Sequence, residues 1–321
     1  MQKRGMRTVV VLGTGGTIAG SAASADDNLG YVAGVLGVGV LVASASYGDA
    51  LAVETEQVAQ IDSKDMSFAI WLQLARRVAH HAARAEVTGI VVTHGTDTLE
   101  ETAYFLSRVV AVAKPVVLTA AMRPATSRQA DGPQNLVDAI AVAALEGRAG
   151  VVVAFAGTLH SARDVRKVHP YRLDAFSSGD AGSLARVEAG RLRPFRDWPM
   201  EPAIGLDRLP DDHAAWPWVE IVTSTAGADG RTVDALVDAG VAGIVVAGTG
   251  NGSLHAALEA ALAAAAERGI AVLRSTRCLD GAIVEAIPGP FASAGDLTPV
   301  KARIELTLRL LSARTGTVGA A

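Results

Sequence analysis

The sequence predicts an α/β protein of two domains: a larger N-terminal domain with a mostly parallel sheet flanked by helices, and a smaller C-terminal α/β domain. Three observations carry that expectation. Short β-branched runs alternate with longer helical patterns, as strands buried on both faces of a parallel sheet require. The 321 residues are 50% hydrophobic and 19% charged, enough to bury one or two ordinary cores. The alternation then breaks between Pro194 and Pro217, where prolines at 194, 199, 202, 210 and 217 stand with Trp198, Trp216 and Trp218 among charged residues. That composition reads as a linker, which divides the chain into an N-terminal domain (1–195), a linker (196–217) and a C-terminal domain (218–321).

In chain order, the strand candidates of the first domain are residues 8–12, 89–93, 115–119 and 150–154; those of the second are 219–223, 243–247 and 271–274. Each is a short run dominated by Val, Ile and Leu. The helical candidates between them are 98–112, 134–145, 254–268 and 301–311, of which 254–268 is alanine-rich in the manner of a good helix. The apolar stretch 31–45 is interrupted by glycines and is shorter than the roughly 18 residues a membrane span requires. The basic start of the chain runs into only residues 9–12 before Gly13, too short for a signal-peptide core. A soluble, cytoplasmic protein with no membrane partner is expected. With 29 Lys+Arg against 33 Asp+Glu the net charge is −4, so no basic excess exists to follow a phosphate backbone and nucleic acid is not an expected partner. The single cysteine, Cys278, excludes an intramolecular disulfide and a multi-cysteine zinc site.

In open α/β sheets ligands lie beyond the carboxyl ends of the strands, which directs attention to three loops. The first, GTGGTIAG at 13–20, has glycines that let a backbone approach closely and threonines that add hydroxyls. Ile18 stands where a dinucleotide fingerprint needs glycine, and no lysine closes the loop as in a phosphate-binding P-loop. The second, THGTDTLEET at 93–102, carries Thr96 and Asp97 and opens a helix; Thr98 and Glu101 have capping-box spacing, and Asp97 is a further candidate cap. The third, 157–167, is dense in charge and by default a solvated loop. If Lys167 instead turns inward beside Thr96, burial and arginine neighbours favour a neutral amine that serves as a base. Ser63 precedes a helical pattern and reads equally as a cap.

TGGTIAG at 14–20 and HGTDTLEETAYFL at 94–106 resemble the two signature motifs of bacterial-type L-asparaginases. The resemblance continues, in order, through KPVVLTAAMRP at 114–124, QADGPQNL at 129–136, RDVRK at 163–167 and GTGNGSLH at 248–255. It implies hydrolysis of the side-chain amide of L-asparagine to L-aspartate and ammonia through a threonine nucleophile and an acyl-enzyme, with no metal or organic cofactor. By the same resemblance Thr17 matches the nucleophilic threonine and Tyr31 its partner on a mobile lid. Thr96, Asp97 and Lys167 match a second cluster in which the lysine activates the threonine. Asp97 with Ser63 matches the groups that hold the substrate's α-amino and α-carboxylate, and Ala121 matches a position offering its backbone carbonyl to the amide. Which threonine takes which step stays open.

The resemblance also implies a homotetramer, a dimer of dimers with the site at a subunit junction. Two departures stand out. Lys64 occupies a position where secreted members often have Gln or Glu near the substrate ammonium; a cation aimed there repels it, so either its side chain points away or affinity suffers. The segment after Arg277 is shortened, leaving Glu285 as the loose candidate for a glutamate supplied by a neighbouring subunit. Ser253 occupies a pocket-rim position where members vary, so glutaminase or mixed activity is an alternative. A non-catalytic asparagine sensor is another, although binding alone needs neither two hydroxyls nor a base.

Overall fold

A computed structural model describes residues 7–47, 51–200, 202–285 and 289–317. The basic start of the chain, residues 1–6, lies outside the described residues. The chain divides into two compact units, the first ending at Leu206 and the second beginning at Asp207.

The first unit contains, in order, β1 (Arg7–Gly15), α1 (Val38–Ala43), β2 (Leu51–Ile61), α2 (Phe68–Ala82), β3 (Val87–Thr93), α3 (Leu99–Val109), β4 (Pro115–Thr119), α4 (Gly132–Ala143), β5 (Gly150–Phe155), β6 (Thr158–Ser161), β7 (Arg166–Lys167), β8 (Phe176–Ser177), β9 (Ala185–Glu188) and β10 (Arg191–Pro194). Eight strands form one sheet in the order β10-β9-β6-β5-β4-β3-β1-β2. Pairing is parallel from β2 through β1, β3 and β4 to β5, then antiparallel onward to β10. The sheet is therefore mostly parallel, with an antiparallel extension that the hydrophobic runs did not announce.

β1 is buried along its whole length after Arg7, because neighbours pair on both its edges and helices cover its faces. On one side Trp71 of α2 stacks on Phe105 of α3, with ring centroids 4.9 Å apart and planes 13° off parallel. Full burial of each large apolar side chain stabilises by about 1.5–3 kcal/mol before entropy is counted. The edge strand β2 is held differently. Arg77 and His81 of α2 reach the Glu56 carboxylate at 2.6 and 2.7 Å, and Arg84 reaches Glu54 at 2.7 Å. These charges also blunt an otherwise open edge.

The second unit contains β11 (Val219–Thr223), α5 (Arg231–Asp238), β12 (Gly243–Gly248), α6 (Ala256–Glu267), β13 (Ala271–Thr276), β14 (Ala292–Ser293) and α7 (Pro299–Thr317). Its four strands are parallel in the order β11-β12-β13-β14. Val222, Val233, Ile244, Val246, Leu258 and Leu262 belong to its core. Among the described residues no helix is long and apolar enough to cross a membrane.

The third loop is corrected by the fold. Residues 158–161 are β6 within the large sheet, and Leu159, His160, Ser161, Ala162 and Val165 are buried, so this segment is not a solvated loop. The capping box is corrected too. The Thr98 side chain makes no cap hydrogen bond; its hydroxyl donates to the Ser63 carbonyl at 2.8 Å.

Candidate active site

In the parallel region the chain runs from β1 outward to β2, then crosses back to β3 on the other side of β1. The connections leave in opposite directions between β1 and β3, which is the switch point where such sheets open a crevice at their carboxyl ends. The loops after β1 and β3 meet there. Thr14 Oγ1 donates across the two strand ends to the Thr93 carbonyl at 2.9 Å.

Gly16 makes the meeting possible. Its φ is +78°, and an added Cβ would lie 2.3 Å from the Gly95 Cα and nitrogen. A Cβ on Gly95 would in turn lie 2.4 Å from Ser63 Oγ. The loops after β1 and β3 thus touch backbone to backbone, with the Ser63 side chain of the β2 loop pressed against Gly95, and only glycine allows that spacing. Thr17 follows at once as the first residue of a short 3₁₀ turn, 8% exposed, and Thr96 is 5% exposed.

Tyr31 lies on an arm that folds back over this turn. Ser21 and Val32 exchange two backbone hydrogen bonds of 2.9 Å, and Gly34 N donates to Gly16 O at 3.0 Å. The Tyr31 hydroxyl lies 2.7 Å from Thr17 Oγ1. Leu29 and Val32 beside it are 78% and 65% exposed, so the arm itself is solvated.

Lys167 arrives from the β7–β8 hairpin and does turn inward. Its backbone amide donates to Glu100 Oε1 at 3.0 Å, and its ammonium donates to Thr96 Oγ1 at 2.9 Å and to Asp97 Oδ1 at 2.6 Å. The Lys167 side chain is 18% exposed and that of Asp97 53%, so this carboxylate faces both its partner and open space. Ser63 caps no helix: Asp62 caps the 3₁₀ turn Ser63–Asp65 through the Lys64 amide, and Ser67 caps α2 through the Ile70 amide. Ser63 Oγ accepts instead from Asp97 N at 3.2 Å, tying the β2 loop to the β3 loop.

Ala121 follows β4 and is buried. Its neighbours are fixed by residues that the motif contains but to which no role was given. The Asp131 carboxylate accepts from Met122 N and Arg123 N, both at 2.9 Å, and Asn135 Nδ2 donates to Ala120 O at 2.9 Å. Burial pushes the Asp131 carboxyl up, against the downward pull of these amides. The signal was QADGPQNL itself: an acid and an amide one helical turn apart at a helix start.

Lys64 is corrected. Its ammonium is 2.7 Å from Asp62 and 3.7 Å from Asp65, and the hydrogen bond to Asp62 raises its pKa. Glu285 and Ser253 belong to the second unit. Glu285 pairs with Arg274, and Ser253 exchanges two backbone hydrogen bonds of 2.8 Å with Thr249. Cys278 is exposed, its thiol 3.8 Å from the Gly250 carbonyl.

Two loop hydroxyls, each in hydrogen-bond reach of a group able to exchange a proton, at the switch point of a parallel sheet, have the form of a hydroxyl-nucleophile hydrolase. The chain belongs to the asparaginase family: residues 8–199 match the family model described as asparaginase, N-terminal, and residues 218–316 the one described as glutaminase/asparaginase C-terminal domain. It is 40% identical over 314 residues to L-asparaginase 2 of Escherichia coli K12, covering 94% of this chain and 88% of that protein. It is 38% identical to a glutaminase-asparaginase of Pseudomonas fluorescens biotype A, covering 94% and 86%. The crystal structure of a probable cytoplasmic L-asparaginase from Campylobacter jejuni superposes with a TM-score of 0.89 at 38% identity, over 95% of each chain.

Proposed function

We propose that this chain hydrolyses the side-chain amide of L-asparagine to L-aspartate and ammonia. The observation that carries the reading is the pairing of Thr17 with Tyr31 at 2.7 Å and of Thr96 with Lys167 at 2.9 Å on two loops in backbone contact. Thr17 Oγ1 attacks the amide carbonyl carbon, and its proton passes by way of the Tyr31 phenol to the leaving nitrogen. The C–N bond breaks, ammonia departs and an ester to Thr17 remains. Water then attacks the ester, with Thr96 and Lys167 relaying its proton, and Thr17 recovers its hydroxyl as aspartate is freed. Water is the only co-reactant. Asp97 pairs with the substrate ammonium, Ser63 with its α-carboxylate, and the Ala121 carbonyl accepts from the amide NH₂.

Ammonia release from asparagine and from glutamine, measured side by side on purified protein, tests this reading. Faster release from asparagine is expected. The similarity to a glutaminase-asparaginase makes glutamine the second substrate to measure, and no release from either amide overturns the enzyme reading in favour of a binding protein. Homotetrameric assembly and a cytoplasmic setting belong to the same proposal, supported by the family resemblance and by the relative described as cytoplasmic. A monomeric mass by light scattering, or recovery from a periplasmic fraction, would count against them.

A further inference from the structure

His94 is the first residue after β3, is fully buried, and has no part in the steps above. Its Nδ1 lies 2.7 Å from the Gly95 carbonyl oxygen and its Nε2 3.0 Å from Thr102 Oγ1 on α3. Trp71 Nε1, on α2, donates to the same Thr102 oxygen at 2.8 Å. Only one direction of hydrogens satisfies all three contacts with a neutral ring. A carbonyl only accepts, so Nδ1 carries the hydrogen; Nε2 is then an acceptor, and the Thr102 hydroxyl donates to it while accepting from an indole N–H that can only donate. The chain runs Trp71 to Thr102 to His94 to Gly95, from two helices into the loop.

Its end point is what matters. Gly95 is the residue against which Gly16 and Ser63 are pressed, and the next two residues are Thr96 and Asp97. We propose that His94 is a positioning residue: anchored through Thr102 to Trp71, it holds the Gly95 carbonyl and thereby sets where Thr96 and Asp97 stand relative to Thr17. This rests on the catalytic reading above. A buried histidine that only fills core would satisfy its ring anywhere; this one closes a contact onto the backbone of the adjoining loop residue. Small displacements of reacting groups are costly, about 10²-fold for 1 Å.

The test uses the full chain and two kinds of readout. In ¹⁵N-edited spectra of the unmodified protein, His94 is expected as the neutral Nδ1–H tautomer throughout the neutral range. An Nε2–H tautomer or a charged ring overturns the proposal, and this measurement needs no turnover. In kinetics, His94→Leu that retains its circular dichroism and cooperative melting is expected to raise KM for asparagine about fivefold or more, a factor that corresponds to about 1 kcal/mol, along with a lower kcat. His94→Asn keeps a donor near the Nδ1 position and should recover most of the KM. A merely structural loss lowers kcat by reducing the folded fraction and leaves KM unchanged, and that outcome also overturns the proposal. Should His94→Leu not fold, Thr102→Val carries the same comparison with Thr102→Ser as its rescue. A wild-type protein that releases no ammonia sinks the catalytic reading instead, and the tautomer then decides the relay alone.

Discussion

Lys64 illustrates what a residue's chemistry depends on. At about 4 Å two like charges cost roughly 1 kcal/mol in water and about 4 kcal/mol at an effective dielectric of 20. The side chain is 63% exposed and paired with Asp62 and Asp65, which puts it at the lower limit. Lys64→Gln is therefore expected to change KM for asparagine by less than about twofold at neutral and mildly alkaline pH. A clear fall in KM at neutral pH would show the ammonium facing the substrate. Thr17→Ala and Thr96→Val are the opposite case, since each removes a hydroxyl whose partner lies within 3 Å. Each should lower kcat by about 10²–10⁴-fold while the melting temperature stays near that of the parent, because both lie in loops beyond strand ends. Near wild-type kcat in either variant would remove that threonine from the mechanism.

Among the elements, the contact between the β1 and β3 loops is the feature most exposed to a single methyl group. Gly16→Ala places a Cβ at φ +78° and 2.3 Å from Gly95, which forces the loops apart. The expected cost is about 1–3 kcal/mol of stability for the backbone strain alone, together with a large loss of kcat. Gly147→Ala is the control: its φ is +71° but nothing lies within 4 Å of the added Cβ, so a smaller destabilisation and unchanged turnover are expected. Denaturant midpoints with kinetics on both variants make the comparison. Strands β3, β4, β5 and β12 were legible as short apolar runs because both their faces are buried. β2, carrying Glu54, Glu56 and Gln57, was not, because an edge strand satisfies its polar side chains with solvent and with α2. β6, β9 and β10 were missed for a related reason: pairing with the far side of the sheet, not an apolar run of their own, makes them strands.

For the molecule as a whole, His94 makes stability depend on pH. Folded, it takes up a proton only at about 4, because burial opposes its charged form; its ordinary value is 6.5. Between those values the unfolded chain binds more protons than the folded one, so stability falls as pH falls through this window and levels off below it, by at most about 3 kcal/mol. Asp131 and Asp138 act in the opposite sense at the acidic end, since burial raises both and their protonated forms favour the folded state. Urea midpoints through the mildly acidic range should decline more steeply for the parent than for His94→Asn. Equal slopes would mean that His94 is not held neutral in the folded protein.

Composition and the alternation of apolar runs with helical patterns were sufficient to set out an α/β chain of two domains, and the resemblance of its motifs to the asparaginase family is what pointed to Thr17, Tyr31, Ser63, Thr96, Asp97, Ala121 and Lys167. Those are properties written along the chain, where burial on both faces and glycine-threonine spacing leave a local mark. Direction and partnership are not. Whether Lys167 faces solvent or Thr96, whether Thr98 caps its helix or binds Ser63, and whether Lys64 faces a substrate or Asp62 depended on which loops the sheet order brings together. Residues 71, 94 and 102 acquire a common role only because α2, which packs on β3, lies against α3, which packs on β4 and β5, a proximity between separate segments that no local pattern records.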